Sequence, residues 1–454
     1  MLETVNAWVW GIPTLILILG LGIYLTVITR GVQFRKFPAA LKTFFSKLTG
    51  DSGKDGVSSY RALCTALAAT VGTGNLAGVA GAIAIGGPGA VFWMWICGIL
   101  GMAIKFAEAT LAVRYRVKLS GGEYAAGPMY MIRYGMKRFH FLAGLYSFFG
   151  VVAAFGVGNA TQINTLIQGI HTTAQSFCVS LPAGSDIVMG IALGTIIVTL
   201  SLGGASRIGK MAEILVPFAA CAYVLLCLWV LAVRLEHIPE AFQQIFIGAF
   251  SPRAVTGGAV GSVLITLRIG VSRGVFTNEA GMGTASIAHG SAAVEQPYQQ
   301  GYMGIMEVFL DTIVMCTMTA LVILCVDIPI PYGDDLGIEL TLAAFEEVFG
   351  KWVQLPITLF LSLFAFATVL GWGLYGGRCA QFLFGDGVWK KFVILQGIAV
   401  AVSAVLECRT VWTVAEILNG CMAIPNLLAL AALSREVGQM SKKLPGRRES
   451  LSGR

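Results

Sequence analysis

A group of glycines and polar residues inside an apolar run is the first part of the sequence that could bind a ligand. It contains Gly72, Thr73, Gly74 and Asn75 in that order. If the run crosses a membrane, these groups are costly unless the backbone leaves the helix and lines a cavity. The spacing does not fit a dinucleotide-binding loop, because the third glycine is misplaced and no strand precedes it. The sequence therefore predicts a broken helix beside a cavity.

A second group of glycines, between Gly270 and Gly283, also contains charged and polar side chains. Arg273, Asn278 and Glu279 lie within it. Glycines that only allow close helix packing would not need these side chains, so we predict a second broken helix here. Arg273 and Glu279 flank the break and could form an ion pair that gates or anchors the helix, and the two roles remain open.

Two further pairs of ionisable residues lie inside apolar runs. Lys105 and Glu108 have the spacing of neighbours on one helix face, so we interpret them as a structural ion pair. Glu307 and Asp311 share a face of a later helix. Carboxyl groups inside a membrane are candidates for function, and Glu307 or Asp311 could carry a coupled proton.

The composition places these groups in a membrane protein. Of the 454 residues, 56% are hydrophobic and 12% are charged, and the mean hydropathy is +0.77. Soluble domains contain about 25% charged residues, so lipid must cover much of the surface. The 10 cysteines form no CxxC pair, and we interpret them as buried and structural. The 4 histidines form no HExxH motif and no nucleophile elbow is present, so an enzyme is not favoured. A channel is not favoured either, because no short pore-loop repeat is found.

Eleven runs are predicted to cross the membrane, each long and apolar enough for a helix of about 20 residues. The runs are 8–29, 62–86, 88–113, 141–170, 187–203, 211–233, 257–288, 301–326, 352–378, 392–406 and 410–433. The first has no small-residue cleavage site after it, so we interpret it as a retained helix rather than a signal peptide.

Most of the 31 Lys and Arg residues fall on one side of this arrangement. They concentrate in segments 30–61 and 114–140 and in the tail at 434–454, whereas the connection at 327–347 on the opposite side is acidic. Cytoplasmic connections are enriched in Lys and Arg, so we predict an outside N-terminus and a cytoplasmic C-terminus. The net charge of +7 then reflects topology rather than nucleic-acid binding.

The two predicted breaks stand at matching places in the chain. Without the N-terminal run, ten runs divide into two sets of five, and each set begins with its broken helix in opposite orientation. Such a pair points to the central site of a secondary transporter. We therefore predict an all-α transmembrane domain at 1–433, with an extra helix at 8–29, inverted repeats at 62–233 and 257–433, and a basic tail at 434–454.

Four blocks of the sequence resemble those of the alanine or glycine:cation symporter family. They are residues 56–80, Gly158–Asn164, Arg273–Gly283 and Leu370–Gly373. The resemblance covers nearly the whole chain. It implies eleven helices, the last ten in the leucine-transporter fold, and the transport of alanine or glycine with sodium.

The resemblance also implies a substrate site at the first break. Thr73, Gly74 and Asn75 match the unwound point of the first core helix, where free N–H groups and a helix N-terminus would hold a substrate carboxylate. Asn75 would contact the substrate, join the two helix ends, or do both.

Three residues from other helices would complete this site. Gln162 would point into the cavity, with interhelical hydrogen bonding as the alternative. Phe276 would close over the substrate. Trp372 would limit the size of the substrate side chain, with a place at the lipid interface as the alternative.

A sodium site is implied beside the substrate. The carbonyl groups of Ala68 and Val71 would supply two oxygen ligands, and Ala365 and the Thr368 hydroxyl would supply two more. Val369 stands where some relatives of the fold have a second hydroxyl, so this site has one side-chain oxygen fewer.

The leading hypothesis is sodium-driven uptake of small neutral amino acids through the cell membrane, without covalent chemistry or an organic cofactor. Na⁺, the amino acid and the lipid bilayer are the expected partners, and nucleic acid is not. The alternative is a proton-coupled carrier of the same fold. Alanine, glycine and serine are not ranked by the sequence, nor are the L and D forms.

Overall fold

A computed structural model of the protein describes residues 2–48, 57–119, 122–334 and 337–442. Parts of two predicted basic segments, residues 49–56 and 443–454, lie outside the described residues.

The described residues are almost entirely helical, as the composition predicts. The α-helices are α1 (Leu2–Val9), α2 (Ile12–Ile28), α3 (Val32–Arg35), α4 (Phe37–Leu48), α5 (Ser59–Thr70), α6 (Val79–Gly86), α7 (Gly89–Arg114), α8 (Pro128–Gly135), α9 (Phe141–Ala153), α10 (Thr161–Ser176), α11 (Ser185–Ser201), α12 (Gly204–Val233), α13 (Ile238–Phe250), α14 (Pro252–Val255), α15 (Val263–Asn278), α16 (Thr284–His289), α17 (Pro297–Val308), α18 (Thr317–Leu324), α19 (Ile338–Phe349), α20 (Gln354–Phe384), α21 (Trp389–Ser403) and α22 (Cys408–Lys442).

Short segments of other kinds connect these helices. Three π-helical segments are found at Gly74–Gly78, Ala154–Ala160 and Phe309–Cys316. Single 3₁₀ turns occur at Lys137–Phe139, Leu235–His237, Lys351–Val353 and Asp386–Val388. Two strands, β1 (Val117–Lys118) and β2 (Tyr124–Ala125), pair antiparallel, with Val117 opposite Ala125.

Six helical stretches in the described part of the chain are long and apolar enough to cross a membrane, or seven if the bent pair at Ser59–Thr70 and Gly74–Gly86 is one span. Each of the eleven predicted runs overlaps a helix. The count of eleven spans, the inverted repeat and the domain boundaries remain predictions. Exposed apolar side chains such as Ile214, Phe218 and Leu225 on α12 suit a lipid-facing surface.

Both predicted breaks are present. The axis bends by 53° between α5 and the helix that starts at Gly74. The second break separates α15, which ends at Asn278, from α16, which begins at Thr284. Glu279 takes a left-handed conformation there (φ 54°), as do Gly281 and Gly283. An L residue rarely adopts this conformation, so the backbone clearly leaves the helix.

Several helices connect the predicted runs without having been predicted themselves. The longest are α4, α13 and α19. α19 supports the first break, because the Thr341 hydroxyl donates to the carbonyl of Leu76 (3.0 Å). The last helix also continues to Lys442, past the predicted end of its run at residue 433.

Close helix contacts bring the predicted site residues together. α7 packs along α15 and α17, whereas α20 packs along α5, α9, α10 and α12. Gly371 on α20 lies against Ala69 on α5, where an added Cβ would stand 2.9 Å from the Ala69 Cβ. This contact places the first break beside the middle of α20.

Candidate substrate and sodium site

The side chain of Asn75 bridges the two sides of the first break. Its Oδ1 accepts a hydrogen bond from the Gly72 amide (2.9 Å), and its Nδ2 donates to Asp311 Oδ1 (2.8 Å). Asn75 is fully buried. The role of joining the helix ends, one of the two left open by the sequence, is therefore visible in its contacts.

Gln162 lies at the same break, where the sequence predicted it. Its Oε1 accepts from the amide (3.2 Å) and the hydroxyl (3.0 Å) of Thr73. Its Nε2 is held by the Val157 carbonyl (3.3 Å) and the Thr161 hydroxyl (3.2 Å). Gln162 thus connects α10 to the unwound backbone.

Asp311 connects the two breaks through hydrogen bonds. Besides contacting Asn75, its Oδ2 accepts from the Thr312 hydroxyl (2.9 Å), which in turn accepts from Asn278 Nδ2 (3.1 Å). All four side chains are buried. Asp311 belongs to a π-helical segment, and such segments are frequent at functional sites.

Phe276 of the second break packs against the first. A Cβ on Gly74 would stand 3.5 Å from its ring and 3.0 Å from Thr277 Cγ2. The Phe276 ring also contacts that of Trp412 on α22, with 4.9 Å between centroids. Trp412 was not predicted, because nothing in its own sequence surroundings identifies it as a partner of this break.

Trp372 is buried in the middle of α20 rather than placed at a lipid interface. Only 1% of its surface is exposed, and its indole Nε1 faces the Glu279 carboxyl group without forming a hydrogen bond of ordinary geometry among the described residues. Its ring makes an edge contact with Tyr375 (5.9 Å between centroids). Its burial in the middle of α20 does not fit the alternative of a lipid-interface tryptophan.

Trp372 reaches this position because Gly158 has no side chain. A Cβ on Gly158 would stand 2.3 Å from the Trp372 Cβ. We expect Gly158→Ala to displace Trp372 and to lower alanine uptake at least about tenfold, a change worth ~1.4 kcal/mol. Gly144→Ala is the matched control, since its Cβ would meet nothing within 4 Å. Equal uptake by both variants would contradict this role for the Gly158 contact.

The carbonyl groups of Ala68 and Val71 lack the N–H partners that a continuous helix would give them. The Gly72 amide donates to Asn75 Oδ1 instead of reaching back to Ala68. The Asn75 amide donates to Gly72 (3.3 Å) instead of Val71. Unpaired backbone groups of this kind need another partner, and a cation would supply one.

The Thr368 hydroxyl faces the same place from α20. Its Oγ1 is buried without a hydrogen-bond partner in the described part of the chain, and it lies 2.5 Å from the position that a Gly72 Cβ would take. Ala365 is one turn earlier on α20 and is fully buried. An unpartnered hydroxyl opposite two freed carbonyls fits a small hard cation, which prefers oxygen ligands. The residues present therefore suit Na⁺.

The predicted ion pair between Arg273 and Glu279 is wrong. Arg273 pairs with Glu416 on α22 (3.2 Å) and stacks over Trp412 (4.9 Å). Glu279 accepts a hydrogen bond from the Thr284 hydroxyl (2.5 Å). The left-handed backbone at Glu279 ends the helix that carries Arg273, so helical spacing no longer relates the two side chains.

The ion pair predicted within α7 is replaced by one between helices. Lys105 pairs with Glu307 (3.2 Å), which also contacts His289 Nε2 (2.7 Å). Glu108 instead accepts hydrogen bonds from backbone amides of the second break. Glu307 and Asp311 therefore have different surroundings, and only Asp311 contacts the first break.

In the described ranges, no three His, Cys, Asp or Glu side chains come together as a group that could hold a metal ion. The site is instead built from backbone carbonyls, hydroxyls, amides and one carboxyl group. These groups can bind a zwitterion and a monovalent cation, but they offer no nucleophile beside a general base.

Comparisons with known proteins agree with this geometry. The sequence profile described as "Sodium:alanine symporter family" matches residues 1–450. The chain is 40% identical to the sodium/alanine symporter AgcS of Methanococcus maripaludis, over 97% of this chain and 96% of the relative. It is 34% identical to the probable sodium/glutamine symporter GlnT of Bacillus subtilis, over 95% and 87% of the two chains.

Solved structures show the fold. The chain superposes on MhsT in complex with L-phenylalanine with a TM-score of 0.62 at 13% identity, covering 86% of this chain and 96% of MhsT. The nucleobase-cation-symport transporter Mhp1 gives a TM-score of 0.51 at 14% identity, covering 86% and 78%. The prediction of a transporter fold of the leucine-transporter type is confirmed, as is the expectation of a transporter rather than an enzyme. This multi-pass membrane protein belongs to the sodium:alanine symporter family.

Proposed function

We propose that the protein carries alanine or glycine into the cell together with Na⁺ by alternating access. The observation that carries this proposal is the set of unpartnered oxygens where α5 breaks beside α20. Ala68 and Val71 contribute carbonyls there, and Thr368 contributes its hydroxyl. AgcS, a sodium/alanine symporter, supports the choice of ion and substrate.

The substrate site is proposed at the break itself. The backbone of Thr73 and Gly74 would hold the carboxylate, because a helix start offers N–H donors and a positive dipole end. Gln162 and Asn75 already bind the amides of Thr73 and Gly72, so they would position this backbone and exchange contacts with the substrate. Phe276 would cover the amino acid.

Trp372 would set the size limit. Its ring is fixed between Gly158 and Tyr375, so little freedom remains for it to move aside for a larger side chain. This arrangement favours alanine and glycine over bulkier amino acids.

Coupling follows from the shared backbone. The proposed sodium ligands Ala68 and Val71 immediately precede the proposed substrate ligands Thr73 and Gly74. A bound Na⁺ would hold this backbone and the middle of α20 in one arrangement, the same one that the amino acid needs. Each ligand then favours the same conformation, and this differential affinity is what coupling requires.

Uptake into proteoliposomes tests the proposal. The purified protein is reconstituted, and radiolabelled L-alanine and glycine are supplied with an inward Na⁺ gradient or with choline in its place. Saturable uptake only with Na⁺ is the expected result. Saturable uptake that is equal in choline would overturn the choice of ion, and uptake of neither amino acid would overturn the choice of substrate.

A proton-coupled carrier is the second candidate, and the position of Asp311 favours it. This buried carboxyl group contacts Asn75 and has no ion-pair partner among the described residues. Glu307 is a weaker proton carrier, because Lys105 and His289 already occupy its two oxygens.

We expect that alanine uptake does not require a proton gradient. With the membrane potential clamped and an inward Na⁺ gradient, a protonophore should leave alanine uptake unchanged in the wild-type protein. Asp311→Asn cannot carry a proton and serves as the test variant, with the exposed Asp327→Asn as its control. The contrary result is alanine uptake in Na⁺-free buffer that a pH gradient drives and that Asp311→Asn loses. This result would show that protons, not Na⁺, are the coupling ions.

A further inference from the structure

A carboxyl group on α7 lies against the second break, and the proposed transport site does not use it. Glu108 on α7 is fully buried. Its Oε1 accepts hydrogen bonds from the amides of Gly281 (3.0 Å) and Gly283 (3.0 Å) and from Asn426 Nδ2 (2.7 Å). The left-handed turns at the two glycines direct both amides to the same oxygen.

These three donors stabilise the ionised form of Glu108. Hydrogen bonds from N–H groups favour the ionised form of a carboxyl group, whereas burial opposes it. The Oε2 atom has no hydrogen-bond partner among the described residues. Whenever Glu108 is ionised, this oxygen is available to a cation.

No positively charged side chain in the described part of the chain pairs with Glu108. The nearest ammonium group, that of Lys105, forms its ion pair with Glu307 (3.2 Å). His289 points its Nε2 at Glu307, and its Nδ1 faces the amide nitrogen of Gln300 (2.7 Å). Burying an ionised carboxylate without a counter-charge costs free energy.

Asn426 on α22 supplies a second open oxygen beside Glu108. Its Nδ2 donates both to Glu108 and to the Gly281 carbonyl (2.8 Å), and this fixes the orientation of the amide. Its Oδ1 is fully buried, has no partner, and lies 2.7 Å from the position of a Cβ on Gly283. Glu108 and Asn426 are thus joined by a hydrogen bond at the second break, and each has one oxygen without a partner in the described part of the chain.

We propose that Glu108 and Asn426 bind one Na⁺ at the second break, at a site separate from the one at Thr368. A single carboxylate with an amide oxygen provides hard ligands and one negative charge, which suits a monovalent cation better than a divalent one. This inference extends the proposed sodium-coupled function to a second ion.

The proposed ion would connect three elements. Glu108 belongs to α7, Asn426 belongs to α22, and Gly281 and Gly283 form the turn between α15 and α16. Binding of Na⁺ would stabilise the arrangement in which these elements meet. The second broken helix would thereby respond to sodium independently of the first.

Na⁺ binding to the purified full-length protein tests this inference without relying on transport. The number of ²²Na⁺ ions bound per chain and their apparent affinities are measured in detergent, in the absence of amino acid. Glu108→Gln removes the charge but keeps the shape, and it should bind one Na⁺ fewer than the wild type. Asn426→Ala should weaken the same site at least about tenfold. Glu236→Gln, a change at an exposed carboxylate, is the control.

The outcomes separate this inference from the proposed function. If Glu108→Gln and Asn426→Ala bind Na⁺ like the wild type while Thr368→Val loses one ion, the second site is overturned and the proposed function stands. If the wild type binds no Na⁺, the proposed function fails first. If Glu108→Gln keeps its Na⁺ but loses a pH dependence of uptake seen in the wild type, Glu108 binds a proton and the sodium assignment is overturned. Size-exclusion profiles exclude misfolding, and Asn426→Ala decides the question if Glu108→Gln does not fold.

Discussion

Replacing Thr368 by valine is expected to raise the Na⁺ concentration for half-maximal alanine uptake at least about tenfold, equivalent to ~1.4 kcal/mol of lost ion binding. Valine keeps the branched shape of threonine and removes the hydroxyl. Thr368 Oγ1 makes no hydrogen bond to any other described residue, so removing it breaks no hydrogen bond there. The maximal rate at saturating Na⁺ should change much less than the half-saturation concentration.

A matched change on the same helix distinguishes ion binding from helix stability. Ser362→Ala removes a hydroxyl that donates only to the Thr358 carbonyl one turn earlier (2.7 Å). We expect this variant to keep the sodium dependence of the wild type. If Thr368→Val and Ser362→Ala respond alike, the Thr368 hydroxyl is not an ion ligand.

Gly72→Ala is expected to abolish sodium-dependent uptake, which is the largest effect that we predict for one added methyl group. The new Cβ would stand 2.5 Å from Thr368 Oγ1 and 3.0 Å from Gln162 Oε1. It would therefore occupy the space between the proposed sodium ligands and displace the side chain that holds Thr73. The measurement is alanine uptake over a range of Na⁺ concentrations, since excess Na⁺ should not rescue a filled site.

Gly78→Ala is the control for this change. Gly78 belongs to the same broken helix, and its added Cβ would meet nothing within 4 Å. Alanine also favours helix over glycine, so the folded protein should be retained. Uptake by Gly72→Ala at the level of Gly78→Ala would show that the space between Gly72 and Thr368 is not used.

The sequence predicted the breaks well because their cause is local. Glycines and polar side chains in an apolar run are costly in an unbroken membrane helix, and both breaks occur where these residues cluster. The position of Gln162 could also be predicted, since a resemblance over nearly the whole chain places each matching residue on its helix. The described contacts then show which groups each residue uses.

The ion pairs could not be predicted, because their partners are distant in the chain. The sequence suggested ion pairs between Lys105 and Glu108 and between Arg273 and Glu279. In the structure, Lys105 pairs with Glu307 and Arg273 pairs with Glu416. Which charges pair is decided by the packing of α7 on α17 and by the side chains of α22 that reach α15. Local periodicity contains no information about that packing.

The structure also changes the interpretation of three side chains. The side-chain amide of Asn75 accepts a hydrogen bond through Oδ1 and donates one through Nδ2. It would therefore contact a substrate only by exchanging one of these hydrogen bonds. Glu307 and Asp311 were treated as one face of a helix. The π-helical segment from Phe309 changes the helical register between them, and Asp311 faces the first break while Glu307 faces Lys105.

The most direct test of the account reverses the direction of the coupling. Proteoliposomes are prepared with equal Na⁺ on both sides, the membrane potential is clamped at zero, and an inward gradient of L-alanine is applied while ²²Na⁺ entry is measured. The account predicts that alanine drives ²²Na⁺ into the vesicles, and that Thr368→Val reduces this entry at a Na⁺ concentration that saturates only the wild type. Alanine entry without any accompanying ²²Na⁺ would contradict sodium-coupled symport.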